Sequence, residues 1–236
     1  MNCHQGRNST PDLNAAIESS GAGDDEGSTA LLFRNPHYFA AGATLWGTEV
    51  QGAYEYEGQS YNGRFSHIPG FQTCIECHDT HNLQVKEEQC IQCHNITSRE
   101  DLQNIRNTFL DFDGDGDNST GLAMAVKNFS DDILEGIYVY AAEVIGVPIV
   151  YDDNVYPFWF EDLNEDGATD PEEAINENQY NTWTPRLLQA AYNYSWVVKD
   201  PGAYAHNGLY SLQILYDTLR DIGGDFSGMI HPEVSQ

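Results

Sequence analysis

Cys74-Ile75-Glu76-Cys77-His78 and Cys90-Ile91-Gln92-Cys93-His94 repeat one pattern, two thiols with two residues between them and an imidazole directly after. Such a set can add both thiols to the vinyl groups of a porphyrin while the histidine reaches the iron, which is the attachment chemistry of c-type haem. The two copies take four of the five cysteines, and the fifth, Cys3, is again followed by a histidine, His4. Met1-Asn2-Cys3-His4 reads as the remainder of a third motif whose first cysteine precedes the numbered residues. The expected cofactors are two haems c, with a third held through Cys3 and His4.

Other thiol chemistries explain less. A Cys-x-x-Cys pair serves as a redox dithiol or as half of a zinc site, and two pairs can close a Cys₄ knuckle. A Cys₄ zinc site leaves His78 and His94 without a task. A disulfide framework leaves one thiol over, because the cysteine count is odd.

With His4, His78 and His94 as proximal ligands, His37, His67, His81, His206 and His231 remain to supply sixth ligands. His37 stands among Pro36, Tyr38 and Phe39, and His67 in the Gly- and aromatic-rich run from Tyr61 to Phe71. His81 follows His78 closely enough to turn toward a neighbouring haem. His206 comes after the turn Asp200-Pro201-Gly202-Ala203-Tyr204, which aims it back from the helical half. These four are favoured over His231, which lies near the chain end where fraying is expected. Met1, Met124 and Met229 have no context that recommends them. Four distal candidates for three haems leave one over, available to a haem on another polypeptide or on a missing upstream part of this one.

The elements that carry these residues divide into two segments, a haem-binding region at 1–105 and a helical region at 106–236. Residues 11–30, rich in Ser, Gly, Ala and Asp, read as a loop or flexible link. The Gly/Tyr/Phe stretch from Leu31 to Phe71 allows short hairpins around Tyr54–Tyr61. Between Cys77 and Cys90 the peptide spans ~45 Å at most when fully extended, so the two haems are held near each other. Beyond residue 100 helical periodicity takes over. Ile133, Leu134, Ile137, Tyr138, Ala141 and Val144 share a face over Asp131–Val144. Thr184-Pro185 begins a second helix as N-cap and first residue, and Asn207–Ile222 forms a third, ending at Gly223-Gly224. The fold class expected is mostly irregular and α, with little β: a loop-rich, haem-wrapping segment followed by a helical one stabilised by calcium.

Calcium enters through two acidic ladders. Asp162-Leu163-Asn164-Glu165-Asp166-Gly167, continuing to Glu173, matches the EF-hand loop at its alternating oxygen ligands, its glycine and its twelfth-position carboxylate. Asp111, Asp113, Asp115 and Asp117 form a second ladder whose twelfth position is Leu122, leaving Asp131 or Asp132 of the next helix to complete it. The expected role of both is structural.

The chain of 236 residues carries 37 acidic against 10 basic side chains, a net charge of −27. Nucleic acid and anionic lipid surfaces are disfavoured as partners by repulsion. No apolar run is long enough to span a bilayer, and no secretion signal is present, so the N-terminus reads as processed or truncated. Covalent haem attachment takes place outside the cytoplasm, which implies a periplasmic or extracellular location.

Cys3-His4-Gln5-Gly6-Arg7, Asn35–Glu49, the double motif with His81, and Pro201–Asn207 together resemble multihaem c-type cytochromes of bacteria and archaea. The resemblance implies His-ligated haems in close succession that pass electrons along, in a chain that is a C-terminal portion or a small relative. It also implies redox proteins or copies of itself as partners, including a homo-oligomer or filament in which a distal His is shared between subunits. The first expectation is therefore an electron carrier rather than an enzyme, because bis-His ligation leaves no open iron position. The second is a multihaem reductase with one open haem, opposed by the absence of a proximal Lys and by the acidic charge. A third, a calcium-dependent interaction module suggested by the dockerin-like loop Asp162–Glu173, leaves the haem motifs unexplained.

Overall fold

The computed structural model describes residues 4–36, 39–98, 100–106 and 108–234. Its helices are α1 (Thr10–Ser20), α2 (Ala41–Trp46), α3 (Cys74–Cys77), α4 (Glu87–Cys90), α5 (Leu122–Tyr140), α6 (Pro185–Val198) and α7 (Ala203–Ile222). One antiparallel pair, β1 (Ile149–Tyr151) with β2 (Trp159–Glu161), sets Val150 opposite Phe160. The mostly irregular and α expectation, with little β, holds. Cys3 and His37 lie outside the described residues.

The core lies where α7 packs against α5 and α6, with α2 on a further side of α7. Phe129, Ile133 and Ile137 recur every fourth residue along α5 and are fully buried, facing Leu187, Leu188 and Ala191 of α6 and Leu212, Leu215 and Leu219 of α7. Thr184 caps α6 by accepting the Leu187 N–H at 3.1 Å, with Pro185 in the first turn. Gly223, left-handed at φ 82°, ends α7. α5 begins at Leu122, earlier than expected, because Leu122, Ala125 and Val126 extend its buried face backward. Its last turn widens into a π-helical turn over Ala141–Ile145 before left-handed Gly146.

Residues 8–61 join this core. The first half of the 11–30 stretch is helix rather than link: Pro11 lies in the first turn of α1, Leu13 is fully buried, and the Thr10 hydroxyl donates to Ala53 O at 2.7 Å, while 21–30 is turns and irregular backbone. Its polar composition hides a helix with a single deep anchor. No strand forms at Tyr54–Tyr61; the backbone there is held by side chains instead. Asn193 accepts the Tyr54 N–H at 2.7 Å and donates back to Tyr54 O at 3.0 Å, and Tyr61 donates to buried Asp217 at 2.9 Å. Gly52 is required where it stands, since a Cβ would lie 2.4 Å from the Trp196 ring.

The C-terminal segment is also packed. Ile230 N–H donates to Phe112 O at 2.9 Å, and Gln213 donates to Pro232 O at 3.0 Å. His231 stands edge-on to Tyr216, with centroids 5.1 Å apart, and 3.4 Å from Asp217. The segment around His231 is therefore packed rather than frayed.

Candidate haem-binding site

Both complete motifs close the same backbone turn. His78 N–H donates to Cys74 O at 2.7 Å, and His94 N–H donates to Cys90 O at 2.9 Å. In the first motif, Thr73 and Glu76 form a capping box, the Glu76 carboxylate accepting from Thr73 N–H at 2.7 Å and from the Thr73 hydroxyl at 2.8 Å. Those bonds, led by the Thr73 hydroxyl, hold the Glu76 carboxyl below its ordinary range. The cap holds the helical turn that carries the two thiols.

The four thiols are partly buried or exposed, and none is in a disulfide. Among the described residues no three of these thiols bring their sulfur atoms together as metal ligands. Burial, reinforced by the neighbouring Cys90, raises the Cys77 thiol, and burial raises Cys90 as well.

Each motif histidine faces a histidine from a distant part of the chain. His78 and His206 have ring centroids 6.3 Å apart and planes inclined by 37°. His94 and His67 have centroids 6.1 Å apart at the same inclination. Ring contacts in general span roughly 4.5–7 Å, but a metal held between two imidazole nitrogens at roughly 2 Å each also sets ring centres about 6 Å apart. What distinguishes these contacts is their membership, since each joins a residue following Cys-x-x-Cys to an imidazole delivered by another element.

Delivery can be traced residue by residue. His206 stands at the end of the first turn of α7, just before a break at Asn207 (φ −165°, ψ 75°). Asp200, 3% exposed, holds its Nδ1 at 2.8 and 2.9 Å from the two carboxylate oxygens. The ring lies over Gly202, where a Cβ would come 2.6 Å from Cε1. On the other side, His78 Nδ1 is 3.0 Å from Leu83 O, at the end of the loop that returns from Asp79 to Val85. With both Nδ1 atoms donating, Nε2 is the free lone pair on each ring.

His67 is placed by a strap whose Phe65 N–H donates to Leu45 O at 2.9 Å and whose Arg64 covers Trp46 at 4.9 Å. Phe65 and Phe71 flank its ring at 6.3 and 6.1 Å. Beside His94 a cavity of about 390 Å³ opens between Ile96, Ile105 and Arg106. In the same segment of the chain as the motifs, Ile68, Ile75, Leu83 and Ile91 expose their side chains. Exposed apolar side chains, free thiols and paired imidazoles in one segment suit a flat hydrophobic macrocycle.

Among the described residues, His4 and His81 are not drawn into such pairs. His4 Nδ1 lies 3.3 Å from Phe39 O. His81 is exposed at the tip of the 79–84 loop, its N–H bound to Asp79 at 2.9 Å. Asp200, Gly202 and Leu83 O had no motif to announce them. The only sequence signal for Asp200 is a carboxylate set before a Pro-Gly turn that leads to a histidine.

Of the two acidic ladders, the one with the weaker motif converges more tightly. Asp111, Asp113 and Asp115 bring carboxylate oxygens within 4.8 Å of one another, the single such group among the described residues. Asn128 of α5 reaches Asp113 at 2.7 Å, whereas Asp131 turns to Lys127. In the other loop, Asp162 and Glu173 are buried at 5% and 3% exposure. Asp162 accepts from Glu165 N–H at 2.7 Å and Gly167 N–H at 2.9 Å, and Glu173 from Leu163 N–H at 2.8 Å and Asp170 N–H at 3.2 Å.

Comparison with known proteins agrees with the motif reading. The whole chain aligns with a portion of multihaem c-type cytochromes, to which it is related. It is 26% identical over 260 residues to C-type polyheme cytochrome OmcC of Geobacter sulfurreducens and 24% identical over 272 residues to C-type polyheme cytochrome OmcB of the same species. The alignments cover 100% of this chain but only 31% and 32% of those proteins, so the chain spans about a third of the length of the curated relatives it matches. No protein-family profile and no solved structure matches. Among the described residues, no helix is long and apolar enough to cross a membrane.

Proposed function

We propose that this chain transfers electrons through c-type haems bonded to Cys74 and Cys77 and to Cys90 and Cys93, with a third at Cys3 and His4. In this reading His78 and His206 ligate the first iron, and His94 and His67 the second. The observation that carries it is the facing of each motif histidine by a remote imidazole at 6.3 and 6.1 Å. Bound haem supplies one-electron chemistry; the chain's part is to saturate the iron, fix the ring orientation and exclude substrate. His37 serves the His4 haem, and exposed His81 is the imidazole left for a haem beyond this chain, in a redox partner or a second copy. The setting is periplasmic or extracellular.

Calcium belongs to the same proposal, in the loops Asp111–Asp117 and Asp162–Glu173. Buried Asp162 and Glu173 have no cationic side chain paired with them among the described residues, so a divalent ion would balance their charge. The test is the haem-loaded protein itself. Intact mass should correspond to two or three attached haems, and the reduced protein should keep its Soret band unshifted under CO. A colourless product would end the proposal, and a CO-shifted band would favour an open-site reductase.

A further inference from the structure

The two proposed iron sites differ in what holds their histidines. His206 alone gives its Nδ1 to a carboxylate, at 2.8 and 2.9 Å, and that carboxylate, Asp200, is 3% exposed. His78, its partner ring, has only the neutral Leu83 carbonyl at 3.0 Å. Among the described residues no carboxylate hydrogen-bonds the ring of His67 or His94, although both rings are as close to each other as the first pair. A carboxylate behind a ligating imidazole fixes the tautomer and increases the donor strength of the opposite nitrogen. Sheltered from water, its negative charge also acts on the metal with little screening.

We infer that Asp200 is a positioning residue for His206 that sets the iron at His78/His206 at a lower potential than the iron at His94/His67, giving the pair a built-in direction. The inference rests on the ligation reading above. With haem bound at both sites, one electron would pass from the ferrous iron held by His78 and His206 to the ferric iron held by His94 and His67, the first being oxidised and the second reduced. The electron would move alone, with no bond to hydrogen made or broken. The recipient is a neighbouring haem of this same chain, so no outside oxidant is needed for the step.

Asp200→Asn retains the shape and an acceptor oxygen while removing the charge. In a reductive titration of the haem-loaded protein, its lower-potential step should move upward by about tenfold in the reduction equilibrium, or about 59 mV for one electron, with the other step in place. One low-spin ferric EPR signal should shift with it. Asp200→Glu, which restores the carboxylate, should return the step to within about threefold of the parent. Should the Asn variant not accumulate, Asp200→Ser removes the same charge and must move the same step. His206→Ala provides the separate control, converting one haem to a high-spin, CO-binding form. If His206→Ala does so but loss of the Asp200 carboxylate moves neither step, or moves both equally, the inference is overturned and the ligation reading stands. If His206→Ala leaves every haem low-spin, the ligation reading falls and takes the inference with it.

Discussion

Residues 62–106 and the helical core solve the burial problem in opposite ways. Among the described residues between Tyr61 and Phe112 the only buried hydrophobic one is Ile96, whereas α5, α6 and α7 interlock through fully buried Phe, Ile, Leu, Trp and Tyr side chains. The core is thus complete with protein atoms alone, while the motif segment has backbone turns, caps and exposed apolar side chains but little packed interior of its own. Charge divides the same way. Residues 1–106 hold six basic and 14 acidic side chains, and residues 107–236 hold four and 23. The haem motifs therefore lie in the less repulsive part of the chain, where added propionate charge costs less. A segment whose interior is to be a cofactor needs designated attachment points more than it needs hydrophobic periodicity.

The largest expected effect breaks that comparison directly. In protein produced without haem attachment, amide exchange over 62–106 should approach that of an unfolded chain, since few buried contacts hold it closed. Amides of 122–140 and 185–222 should keep most of their protection. Hydrogen exchange read by mass spectrometry checks both at once. Equal loss in the two regions would mean that the helical core also depends on the cofactor.

Next in size is Gly202→Ala. The new Cβ would meet the His206 ring at 2.6 Å while α7 beyond Asn207 stays packed. One haem should lose its low-spin spectrum, and thermal stability should change by no more than about 1–2 kcal/mol. A stability loss without a spectral change would assign Gly202 to the core rather than to the site.

How far the sequence carries this comparison depends on the kind of information each region uses. The Cys and His residues of 74–94 are legible because covalent chemistry fixes residue type and spacing. The ends of α6 and α7 are legible because Thr184-Pro185 and Gly223 signal locally. Which imidazole faces which is a tertiary fact, and His206 meets His78 across more than half the chain. Asp200 could be seen as part of a turn but not as a partner of His206. Helix α1 was hidden by its polar residues because one anchor, Leu13, suffices when Thr10 is tied to Ala53.

A smaller effect separates the two acidic ladders, both outside the motif segment. Chelation of divalent ions should lower the melting temperature while leaving the haem spectrum unchanged. Glu173→Ala should cost about 1–3 kcal/mol even in chelator, because the N–H groups of Leu163, Asn164 and Asp170 lose their acceptor. Asp115→Ala, whose exposed carboxylate holds one backbone N–H, should cost little once the ion is removed. Equal costs for the two variants in chelator would show that the loops do not differ in this way.

The smallest effect tests the charge side of the comparison within the core. Burial raises the Glu55 carboxyl, opposed by hydrogen bonds from Thr48, Tyr210 and Gln51. A carboxyl whose folded value exceeds its unfolded one favours the fold below the unfolded value, and that advantage is lost as pH rises through the folded value. At neutral pH the ionised form is therefore a burden that Glu55→Gln removes. The Gln oxygen can still accept from Thr48 and Gln51, and the Tyr210 hydroxyl can rotate to accept from the new amide. Denaturant melts should show the variant more stable than the parent at pH 7 by less than about 1 kcal/mol, with the gap closing toward pH 4. A gap that widened on acidification would mean that the hydrogen bonds outweigh burial at Glu55, and the core would then tolerate this charge without cost.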